Sequence, residues 1–207
     1  MNDVTRRRWD QRYRETLTGQ PPAAVLSAHL HLLPATGTAL DLACGLGGNA
    51  LLLARQGLAT WAWDISPIAM ARLDESARQS GIAIQTEVRD VVSRPPEPAG
   101  FDVIVVSRFL ERSLAPALQA ALRPGGLLFY QTFTKLRTGK GEEDGNDKGP
   151  RNPDFLLDDN ELLRLFAPLR VRFYREEGLL GDTARGVRNE AMLIAQKVEG
   201  HEPDRTA

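Results

Sequence analysis

Three acids and a glycine turn carry the chemistry legible in this chain. They are Asp41, Asp64 and Asp90, with Gly45, Gly47 and Gly48 lying between the first two acids. Residues 38–49 read as a short apolar strand that ends in a carboxylate and runs straight into the glycines, and a helix over 49–56 follows. Glycine suits such a turn because it accepts positive φ and because a ligand can approach backbone that lacks a Cβ. Asp64 closes a second apolar strand, 58–64, and Ser66-Pro67 behind it form a helix N-cap and a first-turn proline. Asp90 follows a third strand, 82–88. Ligands of open α/β sheets sit in the crevice beyond the strand carboxyl ends, so the three acids are expected along one crevice edge.

The elements that must position these residues alternate. Strands at 101–107 and 127–133, with a helix at 114–122 between them, bring the count to five strands spaced by helices or short connections. That order implies a parallel, right-handed, doubly wound sheet. Two further strands, 169–174 and 190–197, are joined by too short a loop for a helical crossover and are expected to pair antiparallel. The fold expected is therefore α/β: a Rossmann-like, doubly wound, mostly parallel seven-stranded sheet with an antiparallel C-terminal strand, in one domain over 1–200. Trp9, Tyr13 and Leu17 make one apolar stripe on an arginine-rich helix over 3–17. This segment, 1–20, is expected to dock as a lid over the cleft or as a cover for the sheet edge. A second helix is expected over 23–33, with Val25, Leu26, His29, Leu30 and Leu33 on one face. Residues 134–157 are glycine-rich and mostly polar, and are expected to form a mobile loop near the site; 199–207 is expected to be a disordered tail.

Bulk properties narrow the function. A net charge of −1 gives no general attraction to nucleic acid or to anionic membrane, and no apolar run approaches the roughly 20 residues of a membrane helix. A single cysteine forms no internal disulfide, and the N-terminus lacks a secretory pattern, so the chain is expected in the cytoplasm. His29, His31, His201 and Cys44 show no metal-ligand spacing, and no metal is expected.

The glycine turn by itself is ambiguous, since 45–50 also satisfies the dinucleotide pattern and Asp64 lies near the distance of a ribose-binding acid. Asp41 discriminates. A pyrophosphate on the turn would be repelled by that carboxylate, whereas a ligand with a cationic end and no phosphate would be attracted. S-adenosylmethionine has an ammonium, a sulfonium, a ribose diol and an adenine amino group, and fits. Two other readings stay open: a nicotinamide-dependent oxidoreductase, and a non-catalytic module that keeps the pocket for binding alone.

The motifs, taken in order, resemble the class I S-adenosylmethionine-dependent methyltransferases. They are Leu40-Asp41-Leu42-Ala43-Cys44-Gly45-Leu46-Gly47-Gly48, Trp63-Asp64-Ile65-Ser66-Pro67, Arg89-Asp90-Val91, Phe101-Asp102-Val103-Ile104 and Leu122-Arg123-Pro124-Gly125-Gly126-Leu127. Arg8-Trp9-Asp10-Gln11-Arg12-Tyr13 and Asn152-Pro153-Asp154-Phe155-Leu156-Leu157 look like the tellurite-resistance branch of that family. The resemblance implies that Gly45 and Gly47 lie against the cofactor's methionine and ribose portions. It implies that Asp41 balances the ammonium, Asp64 (with Ile65 beside it) holds the ribose hydroxyls, and Asp90 and Val91 take the adenine. It places Ser107 and Arg108 near the methyl group, and the docked helix brings Trp9 and Tyr13 to the cofactor site. Because the cofactor arrives activated, alignment of the acceptor is the main task and no dedicated base is evident. Arg108 and Arg151 are the candidates for drawing in an anionic acceptor. No asparagine-proline-proline-aromatic motif follows the fourth strand, where Ser107-Arg108-Phe109-Leu110 stands instead. The expected acceptor is a small molecule or small anion (a thiol, a chalcogen oxyanion or a metabolite), and nucleic acid is not expected. The chain is expected as a monomer or homodimer.

Overall fold

A computed structural model describes residues 3–138 and 149–198. The expected tail 199–207 and residues 139–148 of the expected mobile loop lie outside the described residues. The strands are β1 (Thr38–Leu42), β2 (Ala59–Asp64), β3 (Gln85–Val88), β4 (Phe101–Ser107), β5 (Leu122–Phe133), β6 (Arg170–Arg175) and β7 (Glu190–Gln196). They form one seven-stranded sheet in the order β3-β2-β1-β4-β5-β7-β6. Pairing is parallel from β3 to β5, and β7 runs antiparallel to both β5 and β6. The strand order reverses at β1–β4, so the crevice opens at the carboxyl ends of those two strands.

Strand alternation decides the core. Leu40, Leu42, Ile104, Val106, Leu128 and Tyr130 fill one face of the sheet, while Ala39, Val103, Val105, Phe129, Met192 and Ile194 fill the other. Both faces of β4 are buried, as its unbroken apolar run requires. The helices are α1 (Asp3–Glu15), α2 (Ala24–Ser27), α3 (Gly48–Arg55), α4 (Pro67–Gln79), α5 (Ala115–Ala121) and α6 (Glu161–Leu165). Ser66 caps α4, its hydroxyl accepting from Ala69 N at 3.2 Å. Trp63 is buried, edge-on to Phe101, with the Arg89 guanidinium 3.8 Å above its ring.

Two expected elements are shorter than their patterns suggested. The helix expected over 23–33 is a single turn, α2, followed by a 3-10 turn at Leu30–Leu32. His29 separates them: its Nδ1 bonds back to Val25 O at 3.0 Å, and its ring packs on Phe173 with centroids 4.3 Å apart. The strand expected over 82–88 begins only at Gln85. Ile82 N donates to Ala77 O at 2.9 Å across Gly81 at φ +66°, which ends α4 and uses Ile82 in doing so.

The ends of the 134–157 segment are tied to the crevice edge. Thr134 and Leu157 form a parallel bridge, and Arg112 holds Glu161 through both carboxylate oxygens (2.6 and 3.0 Å) while donating to the carbonyls of Asp154 and Leu156.

At the opposite end of the sheet Asp102 clamps three strands. Its Oδ2 accepts from Thr38 N at 2.7 Å, from Thr38 Oγ1 at 3.0 Å and from Arg123 Nη1 at 2.8 Å. Asp102→Ala is expected to lower unfolding free energy by about 1–3 kcal/mol, because Thr38 N loses its partner far from the crevice. Denaturant unfolding reads the loss; an unchanged midpoint would show that the clamp contributes nothing.

Candidate functional site

The turn after β1 winds left-handed three times. Ala43, Gly45 and Gly47 stand at φ +54°, +55° and +76°. At Gly47 only glycine fits on two counts, since an added Cβ would also lie 2.3 Å from Leu73 Cδ1. This winding turns the backbone amides of the loop inward. Gly45 N donates to Asp64 Oδ2 at 2.9 Å, and Ser66 N donates to Asp64 Oδ1 at 2.9 Å. β1 and β2 are neighbours in the sheet, so the acid closing β2 is carried to the turn that follows β1.

Asp41 lies below the turn and is fully buried. Its Oδ2 accepts from Ala50 N at 3.0 Å, in the first turn of α3, and its Oδ1 accepts from Asn49 Nδ2 at 3.2 Å. Asn49 is a junction. The same Nδ2 donates to Ser107 Oγ at 2.9 Å, and its Oδ1 accepts from Ala23 N at 2.8 Å. One side chain thus joins β1, the end of β4 and the segment before α2.

Among the described residues no cation pairs with Asp41 or Asp64. Burial pushes Asp41 up to about 7 against the pull of Asn49 and Ala50, and the nearby Asp64 carboxylate adds to the rise. Burial likewise raises Asp64, opposed by the amides of Ser66 and Gly45, with the Asp10 charge pushing further up. Two buried acids with no positive partner favour a ligand that brings positive charge and disfavour a phosphate.

The N-terminal segment covers this turn. α1 packs on α4, and Arg72 Nη1 donates to the carbonyl of Thr16 at 2.7 Å and to that of Tyr13. Ser66 Oγ donates to Asp10. Trp9 stacks on Tyr13 at 5.6 Å, and Tyr13 is buried with its hydroxyl raised in pKa, mainly by burial and then by Asp64. Leu46 N donates to Gln20 Oε1 at 3.2 Å. A Cβ at Gly45 would meet Gln20 Oε1 at 2.6 Å and the Tyr13 hydroxyl at 2.9 Å; at Gly48 it would meet the Gln20 carbonyl oxygen at 2.2 Å. The bare backbone expected to receive a ligand is therefore faced by Tyr13 and Gln20, and a ligand against Gly45 takes their place.

The remaining expected residues separate. Asp90 is half-buried and caps its own turn, accepting from Val92 N at 3.1 Å and Ser93 N at 3.4 Å. Val91 is buried in the main core. Ile65 follows Asp64 and is half-buried. Ser107 joins the Asn49 junction, while Arg108 turns out at φ +53° with its side chain 55% exposed, its Nε donating to Glu190 Oε1 at 3.2 Å. Arg151 is exposed and has no hydrogen bond or ion pair among the described residues. Asn49, Gln20, Gln131 and Glu190 are the polar side chains here that sequence reading passed over. Cys44 is buried beside both acids, and burial pushes its thiol up.

Residues 39–126 match the family model described as a methyltransferase domain. A ubiquinone biosynthesis O-methyltransferase of Methylocella silvestris is 33% identical over 160 residues, 71% of this chain and 62% of the relative. The chain spans about half the length of other curated relatives of that name. TehB from Haemophilus influenzae superposes with a TM-score of 0.64 at 23% identity, over 93% of this chain and 66% of that one. The [4+2]-cyclase SpnF superposes at 0.63 with 20% identity, over 85% and 79%. These two likenesses concern the fold.

The buried acids set a pH dependence. Between about 4 and about 7 the folded protein keeps a proton on Asp41 that the unfolded chain has released, so this group's contribution to stability falls as pH rises through that window. Unfolding free energies of wild type and Asp41→Asn, measured from about pH 4 to about pH 8, are expected to shift in favour of the variant as pH rises. A difference that does not change with pH would show that Asp41 titrates as it does when unfolded.

Proposed function

We propose, from the match of residues 39–126 to the family model described as a methyltransferase domain, that this chain transfers a methyl group from S-adenosylmethionine to a small-molecule or small-anion acceptor. The observation that carries the reading is the pair of buried acids, Asp41 and Asp64, with no cation paired to them among the described residues. A cofactor with an ammonium and a sulfonium supplies the missing charge, and one with a pyrophosphate does not.

In this reading Asp64 accepts hydrogen bonds from the ribose hydroxyls. Each of its oxygens receives one backbone amide and keeps acceptor capacity for another donor. Asp41 acts from beneath the turn, through the field of its charge and through Asn49. Tyr13 and Gln20 move aside from Gly45, and α1 closes over the bound ligand with Trp9 stacked behind Tyr13. Asp90 and Val91 mark the adenine end, and Ile65 follows Asp64 in the chain. The bound cofactor supplies an electrophilic methyl group that needs no further activation. The chain's own work is then to align the acceptor beyond Ser107 and to keep water out, for which orientation alone can supply roughly 7–11 kcal/mol in well-aligned cases. The names of the curated relatives favour oxygen as the accepting atom.

Asp64→Ala is expected to weaken binding of S-adenosylhomocysteine by at least about tenfold while the protein still unfolds cooperatively, since a charged hydrogen-bond acceptor is worth about 1.5–3 kcal/mol. Calorimetric titration reads the affinity, and a folded variant that binds like wild type would remove the assignment. Incubation with labelled cofactor and a panel of phenols, thiols and chalcogen oxyanions tests the transfer itself; binding without transfer to any of them would favour the non-catalytic module.

A further inference from the structure

At the carboxyl end of β4 a second polar cluster has a role that cofactor binding does not use. Arg108 follows Ser107 directly and sits at φ +53°, a conformation that a non-glycine residue adopts only when its surroundings hold it. Its own N–H donates to Gln131 O at 2.8 Å, on the neighbouring β5. Its side chain is gripped by one nitrogen only: Nε donates to Glu190 Oε1 at 3.2 Å. Glu190 is buried and is itself held by Gln131 Nε2, and Gln131 Oε1 accepts from Val25 N at 2.8 Å. Both Nη groups of Arg108 have no hydrogen-bond partner among the described residues. A guanidinium that is more than half exposed is thus fixed from behind by a buried carboxylate and presents its remaining N–H donors forward.

The ring of Phe133 carries two guanidiniums. Arg108 Cζ lies 6.0 Å and Arg137 Cζ 5.8 Å from its centroid. Arg137 is anchored by Nε to Thr134 O (3.3 Å) and by Nη2 to Pro150 O (3.0 Å), and it has no acidic partner among the described residues. Among the described residues Glu190 offsets one of the two positive charges, and the other remains. A planar fork of donors beside an aromatic ring, with net positive charge, selects a planar anion over a neutral molecule.

We infer that Arg108, held by Glu190 and Gln131 and supported by Arg137, is the binding group for a carboxylate carried by the methyl acceptor. The inference rests on the reading of the chain as a methyltransferase, because Ser107 ties this cluster through Asn49 to the turn where the cofactor is placed. Glu190 and Gln131 are positioning residues: they aim Arg108 without touching the acceptor.

The test uses the full chain and 4-hydroxybenzoate, with 4-hydroxybenzyl alcohol as its uncharged counterpart. Calorimetry with S-adenosylhomocysteine is run first on wild type, Arg108→Ala, Arg108→Gly and Glu190→Gln; it reads the cofactor assignment alone, and all four are expected to bind equally. Titration with the two probes, with and without S-adenosylhomocysteine, then reads the acceptor site. Wild type is expected to bind the carboxylate at millimolar concentration and to bind the alcohol at least about tenfold more weakly. Both Arg108 variants are expected to lose that preference, Arg108→Gly doing so while relieving the positive φ. Glu190→Gln is expected to keep part of it, since the amide still accepts from Arg108 Nε. Equal binding of acid and alcohol, no binding of the acid, or an Arg108→Gly variant that keeps the preference would each overturn the inference. Failure of S-adenosylhomocysteine to bind would instead overturn the methyltransferase reading and leave the carboxylate titration to be judged on its own result.

Discussion

Two acids buried under one backbone turn, Asp41 and Asp64, are the constraint to which the rest of this structure answers. A carboxylate taken out of water without a cation is costly, and a second one nearby adds repulsion. The protein meets part of that cost with dipoles. Gly45, Ser66 and Ala50 aim backbone N–H groups at the two acids, and Asn49 adds an amide. The left-handed residues Ala43, Gly45 and Gly47 exist to make this aim possible. What the dipoles leave uncompensated makes this pair of acids a destabilising feature of the free protein.

The N-terminal segment belongs to the same arrangement. Gln20 meets Leu46 N, Tyr13 meets Gly45, and Asp10 meets the residue that caps α4. Arg72 fixes the last turn of α1 through carbonyls, while Asp10 on the same helix brings a further negative charge near Asp64. A segment held over the turn by a few polar contacts opens at lower cost than the core strands beneath it. The near contact of Gly48 with the Gln20 carbonyl oxygen shows that glycine serves the chain's own crossing at that position.

The antiparallel strand has a positional consequence. β7 runs against β5, so its first residue, Glu190, pairs with Phe133, the last residue of β5, and arrives at the crevice edge where the parallel strands end. A seventh parallel strand would bring its last residue there instead. The reversal sets a buried carboxylate behind Arg108 and separates the positively charged side of the crevice, beyond β4 and β5, from the acidic side beyond β1 and β2.

Local pattern determined much of this protein. Alternating apolar residues marked the strands, strand-end acids marked the crevice, Ser66-Pro67 marked α4, and the short link between the last two strands fixed their antiparallel pairing. Each of these is written in residues close together in the chain. The tertiary structure alone decided the rest. Gln131 reaches Val25 across a separation of 106 residues, and Asn49 reaches Ser107 across 58; no spacing in the sequence announces such pairs. The early start expected for β3 and the long helix expected over 23–33 failed for a related reason, because Ile82 and His29 follow the apolar pattern yet are claimed by a helix end and by Phe173. Periodicity says which residues leave water, and only the folded chain decides which polar groups meet once they have left it.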